Sequence, residues 1–331
     1  MRRVAIIGAG FAGLAVCWEL LFGGVRHFEV VVFDERGVGG GASGVAPGLL
    51  HGYVGQRCRL NAFALEGVAA TRRLLLEAQG MLGRAIFREE GILRVPASPE
   101  QRADFMWASD NYPGVEWWPK ERCCEVVGGS VEGGIWIRGG MDVRAVDYLR
   151  GLWMACASRG GVLRKERVGS VESLEDFDYV VIAAGAHSGD IKGGEDLRCT
   201  KIKGQAITLR WPHRLKPPAM PVVGRKYLVM DESGERCVVG ATYERAFADE
   251  TFDLEVAKAD LLPDVIRLFP ELAESQILGG AAGFRASPPG QRLPLIKQMG
   301  SKLFGLTGFG SRGLLYHALY AKQLCDKLRA L

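Results

Sequence analysis

RRVAIIGAGFAG, residues 2–13, is a short apolar run that meets glycines at positions 8, 10 and 13 and then opens a helix from about Phe11. A continuous apolar run such as Val4 to Ile7 suits a strand covered on both faces, as in a parallel sheet. Gly8 permits the tight turn, Gly10 lets a pyrophosphate approach the backbone, and Gly13 allows close helix packing. The helix N-terminus then presents N–H groups to the phosphates. A second apolar strand, HFEVVVFDER at 27–36, ends at Asp34, 21 residues beyond Gly13, where a carboxylate meets a ribose hydroxyl; Glu35 follows it. The unit reads as a β-α-β dinucleotide site.

Outward from this unit the pattern breaks. The second strand runs into GVGGGASGVAPGLLHGYVG, and the next nucleotide-type strand, in FDYVVIAAGAHSG, arrives some 145 residues later. A nicotinamide fold usually runs on without interruption, so the break suits a long flavin cofactor, FAD rather than NAD. Val168, Ala184 and Gly185 are read as cofactor contacts of the returning strands. Asn61 to Gln79 reads as a helix, and a second helix is expected from near Met141 with Asp142 as its cap, stopping at Gly160 and Gly161. GQAITLRW, KYLVMDES and ERCVVGATYE read as strands, followed by a helix from about Asp253 to Phe269 and a closing helix of about 18 residues.

The fold class expected is α/β: an FAD-binding Rossmann-type domain with a second α+β domain on a mixed or antiparallel sheet. The domains are discontinuous. Residues 1–80, 140–198 and 300–331 are assigned to FAD, and 81–139 and 199–299 to substrate.

Composition narrows the function classes. The chain has 331 residues, 42 Lys+Arg against 38 Asp+Glu, and a net charge of +4, too weak a balance to argue for a polyanion by itself. The 45 glycines are about twice the usual ~7% and follow no three-residue period, which excludes collagen-like and linker readings. Eight cysteines without C-x-x-C or zinc spacing read as reduced thiols, so no metal site is expected. No 20-residue apolar run or signal peptide is visible, and the expectation is a cytoplasmic protein with no membrane partner.

GAGFAG, VVVFDE, GASG, VVIAAGAHS, VVGATYE, AGFR and LTGFGSRGL, in this order, resemble the D-amino-acid oxidase type of FAD-dependent oxidoreductases. Within that family, GASG with PGLL, GATYERAF, AGFRAS with RLPLI, and GSRGL resemble the oxidase half of the MnmC-type tRNA-modifying proteins. The resemblance implies non-covalent FAD and oxidation of a C–N bond, with hydride passing to flavin N5. In the MnmC-like form the substrate is carboxymethylaminomethyl-uridine at the tRNA wobble position, yielding aminomethyl-uridine and glyoxylate; methylation would then come from a separate methyltransferase. The other partners implied are a small amino acid as alternative substrate, and molecular oxygen or another electron acceptor.

The resemblance also supplies roles. Arg285 matches the arginine that clamps the substrate carboxylate, and Tyr243 and Tyr227 are candidates for closing the pocket. Ala42, Ser43 and Gly44 match the turn near the flavin pyrophosphate. Gly308, Gly310, Ser311, Arg312 and Gly313 open the last helix beside the ring, with Arg312 touching flavin or tRNA. His51 is expected as polar lining only. SPPGQRLPLIKQMG departs from the family, with no acid after the arginine and Lys297 where glycine is common. Basic groups at Arg57/Arg59, Arg72/Arg73, Arg84/Arg88 and Lys201 to Lys216 are candidate tRNA contacts. Two alternatives remain open: a small-molecule glycine, sarcosine or D-amino-acid oxidase or dehydrogenase, and a flavin-bound protein without catalysis.

Overall fold

A computed structural model describes residues 2–24 and 28–331; His27, placed at the start of the second strand, lies outside them. Six strands form the first sheet, in the order Leu295–Gln298, Leu303–Thr307, Tyr179–Ile182, Arg2–Ile7, Phe28–Phe33 and Val162–Arg164. All neighbours run parallel except the first pair, which is antiparallel. Val4 to Ile7 is buried throughout because both faces are covered. Helices Phe11–Phe22, Ala64–Leu82, Ala145–Ser158 and Gly313–Ala330 build the main core on one side, where Leu14, Leu75, Tyr148 and Leu324 meet. A smaller layer around Val168, Leu174, Phe177 and Leu197 covers the other.

The second sheet has eight strands in the order Ile277–Ser287, Thr200–Arg210, Arg236–Gly240, Tyr227–Met230, Val222–Val223, Ile92–Arg94, Gly134–Ile137 and Val115–Trp118. It is mixed: Val222–Val223 and Ile92–Arg94 are parallel, and the other pairs are antiparallel. Helix Leu254–Leu268 packs Leu261 and Val265 against it, and the Asp253 carboxylate caps that helix by accepting from the Glu255 and Val256 N–H groups. The expected Rossmann-type domain with a second mixed-sheet domain is therefore the observed architecture.

Local differences have identifiable causes. Met141–Val143 is a strand, in a small third sheet between Leu49–Leu50 and Phe87–Arg88, and its helix begins only at Ala145. Asp142 is not a cap; it is buried in an ion pair with Arg88 at 2.5 Å. The helix expected from Asn61 starts at Ala64, after Phe63 in a left-handed conformation. Ile277–Ser287 is an 11-residue strand that the glycines and alanines of GGAAGFRAS conceal. Leu295–Gln298, expected in the substrate part, pairs with Leu303–Thr307 and extends the first sheet. Among the described residues no helix is long and apolar enough to cross a membrane, and all eight cysteines are free, seven of them buried.

Candidate active site

The loop after Ile7 doubles back because Gly8 takes a positive φ of 112°, which side chains other than glycine rarely adopt. A Cβ on Gly13 would collide with the Gly8 carbonyl, so the third glycine fixes the packing of turn on helix and does not itself line the site. Asp34 is tied to the same turn. Its Oδ2 accepts from the Ala9 N–H at 2.8 Å, and Oδ1 from the Arg36 and Gly37 N–H groups at 2.9 Å. A carboxylate offers about four lone-pair sites, so one remains for a ribose hydroxyl. Ser43 Oγ accepts from the Phe11 N–H at 3.0 Å and holds the mouth of the helix to the GASG turn.

A cleft of about 1310 Å³ runs from this turn to the second sheet. That exceeds the ~300–1,000 Å³ of pockets for drug-sized ligands. Its lining takes in Asp34, Glu35 and Val168, the turn residues Gly8, Gly10, Ala42, Ser43, Ala184 and Gly185, and, from the side of the second sheet, Tyr227, Tyr243 and Arg285, together with Leu49 and His51. Gly310, Ser311 and Gly313 also line it. Helices Phe11–Phe22 and Gly313–Ala330 both open on the cleft without a side-chain cap from Gly10 or Arg312. Two positive helix ends therefore face one elongated space, which favours phosphate at one and developing negative charge at the other. This geometry fits a dinucleotide of FAD length.

Three more of the expected cofactor residues stand off the cleft. Gly44 packs on the backbone of Gly39, and Gly308 lies against Pro288. Arg312 turns its guanidinium toward Asn61 Oδ1 at 3.5 Å. Among the described residues no cysteine lines the space.

Arg285 sits on strand Ile277–Ser287 with its guanidinium largely buried. Nη1 donates to the Thr242 carbonyl at 3.1 Å, and no carboxylate of the described residues faces it. Burial pulls its pKa below the usual value, although Tyr227 and Tyr243 act the other way. The Tyr227 hydroxyl is pushed up to about 12 by burial, so it stays protonated and can donate. Tyr243 is 58% exposed and stands at the mouth. His51 is half-buried, pushed down to about 3 by desolvation and by Arg94, and its buried Nδ1 has no partner among the described residues.

Sequence reasoning missed Arg94, whose buried guanidinium also lines the cleft. It missed the fully buried pair behind the two helix ends as well, where Tyr148 Oη lies 2.7 Å from His317 Nε2. Neither carries a motif, since both depend on contacts distant in sequence.

Six side chains of the expected basic patches are paired with acids, while Arg57, Arg210, Arg214 and Lys216 have no ion pair among the described residues. Arg59 pairs with Asp104, Arg72 with Glu89, Arg73 with Glu19, Arg84 with Asp147, Arg88 with Asp142, and Lys201 with Asp190. Lys203 is buried, its ammonium on the Asp249 carbonyl.

A family model described as FAD dependent oxidoreductase (DAO) matches residues 3–327. Among curated relatives, the tRNA 5-methylaminomethyl-2-thiouridine biosynthesis bifunctional protein MnmC of Maricaulis maris (strain MCS10) is 29% identical over 333 residues, 98% of this chain and 52% of that protein. The chain thus spans about half the length of that relative. Glycine oxidase of Geobacillus kaustophilus (strain HTA426) is 26% identical over 355 residues, 98% of this chain and 92% of that protein. Among solved structures, the glycine oxidase from Geobacillus kaustophilus superposes with a TM-score of 0.85 at 23% identity, covering 100% of this chain and 95% of that one. The iminodiacetate oxidase (IdaA) from Chelativorans sp. BNC1 gives a TM-score of 0.80 at 20% identity, covering 99% and 95%. With the family model spanning nearly the whole chain, and the cleft shaped for its cofactor, the protein belongs to the DAO family of FAD dependent oxidoreductases and binds FAD non-covalently.

Proposed function

We propose that the substrate is a small amino acid of the glycine type, free or N-substituted, whose carboxylate is clamped by Arg285 while its C–N bond is oxidised. The observation that carries this reading is the largely buried Arg285 guanidinium, facing the cleft with only the Thr242 carbonyl as partner among the described residues. A cation desolvated in this way recovers its lost solvation from an anionic ligand, and the planar fork matches a carboxylate. FAD supplies the two-electron acceptor, and oxygen or another acceptor returns it to the oxidised state. Tyr227, protonated beside Arg285, orients the same carboxylate, and Tyr243 covers the mouth. His51 is too weak a base at about 3 to hold a proton taken from an ammonium, so the substrate enters as the neutral amine. The six-stranded sheet holds the cofactor and the eight-stranded sheet the substrate.

Incubation of the purified protein with glycine, sarcosine and small D-amino acids, followed by glyoxylate or keto-acid and peroxide assays, tests the reading. Turnover of at least one supports it; a yellow protein that oxidises none of them, with oxygen or an artificial acceptor, rejects it.

A second reading, a glycine unit on the wobble uridine of tRNA, draws on the similarity to the MnmC relative along 98% of this chain. The acids that pair with Arg59, Arg72, Arg73, Arg84, Arg88 and Lys201 leave less free positive charge for phosphates and favour the small substrate. Nucleoside mass spectrometry of tRNA incubated at 50 and 200 mM salt separates the two, because binding through phosphates weakens steeply with salt.

A further inference from the structure

Two buried guanidiniums face the cleft without a carboxylate partner among the described residues, and the amino-acid site uses only one. The other, Arg94, is 7% exposed. Its Nη1 and Nη2 donate to the carbonyls of Tyr53 at 3.0 Å and Gly55 at 2.8 Å, and its Nε is buried with no partner. The remaining neighbours are neutral. The Phe105 ring lies 4.9 Å away, the Cys58 thiol is kept protonated by burial, and His51 is uncharged with its own Nδ1 buried and unpartnered. Carbonyls answer the hydrogen bonds of a buried cation but not its charge. The one open direction for a counter-charge is the cleft that Arg94 and His51 both line.

The surroundings add positive charge. Arg94 ends strand Ile92–Arg94, and its register partner Val223 leads two residues later to Arg225, in the turn before Tyr227–Met230. Arg225 and Arg57 are exposed and line the cleft, as do Glu100 and the Asp104 that pairs with Arg59, and neither of the two arginines has an ion-pair partner among the described residues. Arg285 lies five strands away in the sheet order. At ~4.8 Å per strand this is roughly 24 Å between backbones along a flat sheet. The two guanidiniums also share no hydrogen-bond partner, so a single glycine-sized carboxylate does not serve both.

We propose that this end of the cleft is a second anion subsite, built by Arg94 and His51 with Arg57 and Arg225 at its rim, which holds a negatively charged group carried on the substituent of the substrate nitrogen. The inference rests on the amino-acid reading of the Arg285 site and names its substrate class: N-substituted glycines with an anionic tail. The tail is a carboxylate or a phosphate, since both match a guanidinium fork.

The test is a length series of N-(carboxyalkyl)glycines beside their terminal amides, which differ only in charge. At the matching length the acid is expected to exceed the amide by roughly tenfold in kcat/KM, carried by KM. Arg94→Gln brings this ratio toward one, and the exposed Arg225→Gln lowers it as well, a check independent of any folding defect at Arg94. A nucleoside arm, carboxymethylaminomethyl-uridine with and without a 5′-phosphate, separates the sources: preference for the phosphorylated form assigns the tail to a nucleotide, preference in the carboxyalkyl series alone to a small acid. Equal efficiency of acid and amide at every length, with sarcosine still oxidised, overturns the subsite and leaves the amino-acid reading standing. Should no amine be oxidised, calorimetric binding of the same pairs decides: a tighter acid supports the subsite and equal affinities overturn it.

Discussion

The guanidinium of Arg285 lies across Gly204 of the neighbouring strand so closely that a Cβ there would stand 2.6 Å from its Cζ and both Nη atoms. The glycine is the seat of the arginine. Gly204→Ala pushes the far end of a flexible side chain and not backbone, so the fold tolerates it while the clamp is displaced. We expect kcat/KM to fall about 10–100-fold with bound FAD retained. Arg285→Ala should cost at least ~100-fold, and Arg285→Lys should recover only part. Undiminished turnover in Gly204→Ala, at unchanged flavin content, would show that the arginine is not working from this position.

Acid precipitation should release all of the FAD into the supernatant, since no cysteine lines the cleft among the described residues. Ser43→Ala leaves the Phe11 N–H without its hydroxyl partner, at a cost of about 1 kcal/mol by analogy with helix caps, and should weaken FAD binding. Fluorescence titration of the apoprotein measures it; wild-type affinity in this variant would reject the role of Ser43.

His317 is held at a pKa of about 4, below its ordinary 6.5, because burial disfavours its charged form. The unfolded chain therefore binds a proton between these values that the folded chain refuses. Stability is complete above about pH 6.5 and falls as the pH drops toward 4, by on the order of 3 kcal/mol for this residue. His51 extends the loss toward about pH 3. Urea unfolding at pH 7.5 and 5.0 reads the slope, and His317→Gln should flatten it. Tyr148→Phe should cost about 1–3 kcal/mol at either pH, by leaving His317 Nε2 unpaired.

Neighbouring arginines should behave differently. Arg73 pairs with the buried Glu19, whereas Arg72 and Glu89 meet at a more exposed site. Arg73→Glu places like charges together against a buried carboxylate and should destabilise by roughly 2–4 kcal/mol, moderated by the half-exposed arginine. Arg72→Glu should cost less than ~1 kcal/mol. Similar urea midpoints for the two variants would contradict this assignment.

The parts of the fold legible from sequence are those where local backbone demands leave few choices. Gly8 must turn with positive φ, Gly13 must let helix meet turn, and Asp34 must close on Ala9, so their spacing announces them. Strand Ile277–Ser287 was illegible because its conformation is imposed by pairing with Thr200–Arg210, against the low strand preference of its glycines and alanines. Asp142 looked like a helix cap because nothing local reveals Arg88, 54 residues away, as its partner. Arg94 likewise carries no signal in IleLeuArg; what distinguishes it is the loop at Tyr53 and Gly55 that buries it, and the acid that is missing beside it.

The two helix ends that meet at the cleft begin at Phe11 and Gly313, some 300 residues apart. At about 5–20 residues per second, the ribosome takes roughly 15–60 s to carry the chain from one to the other. Throughout that interval the glycine turn exists without the strand Leu303–Thr307 or the last helix, and the cleft lacks a wall. Cofactor capture therefore waits until the last helix has emerged, and the nascent chain must keep its apolar first helix from aggregating while Leu14, Leu20 and Trp18 wait for their cover.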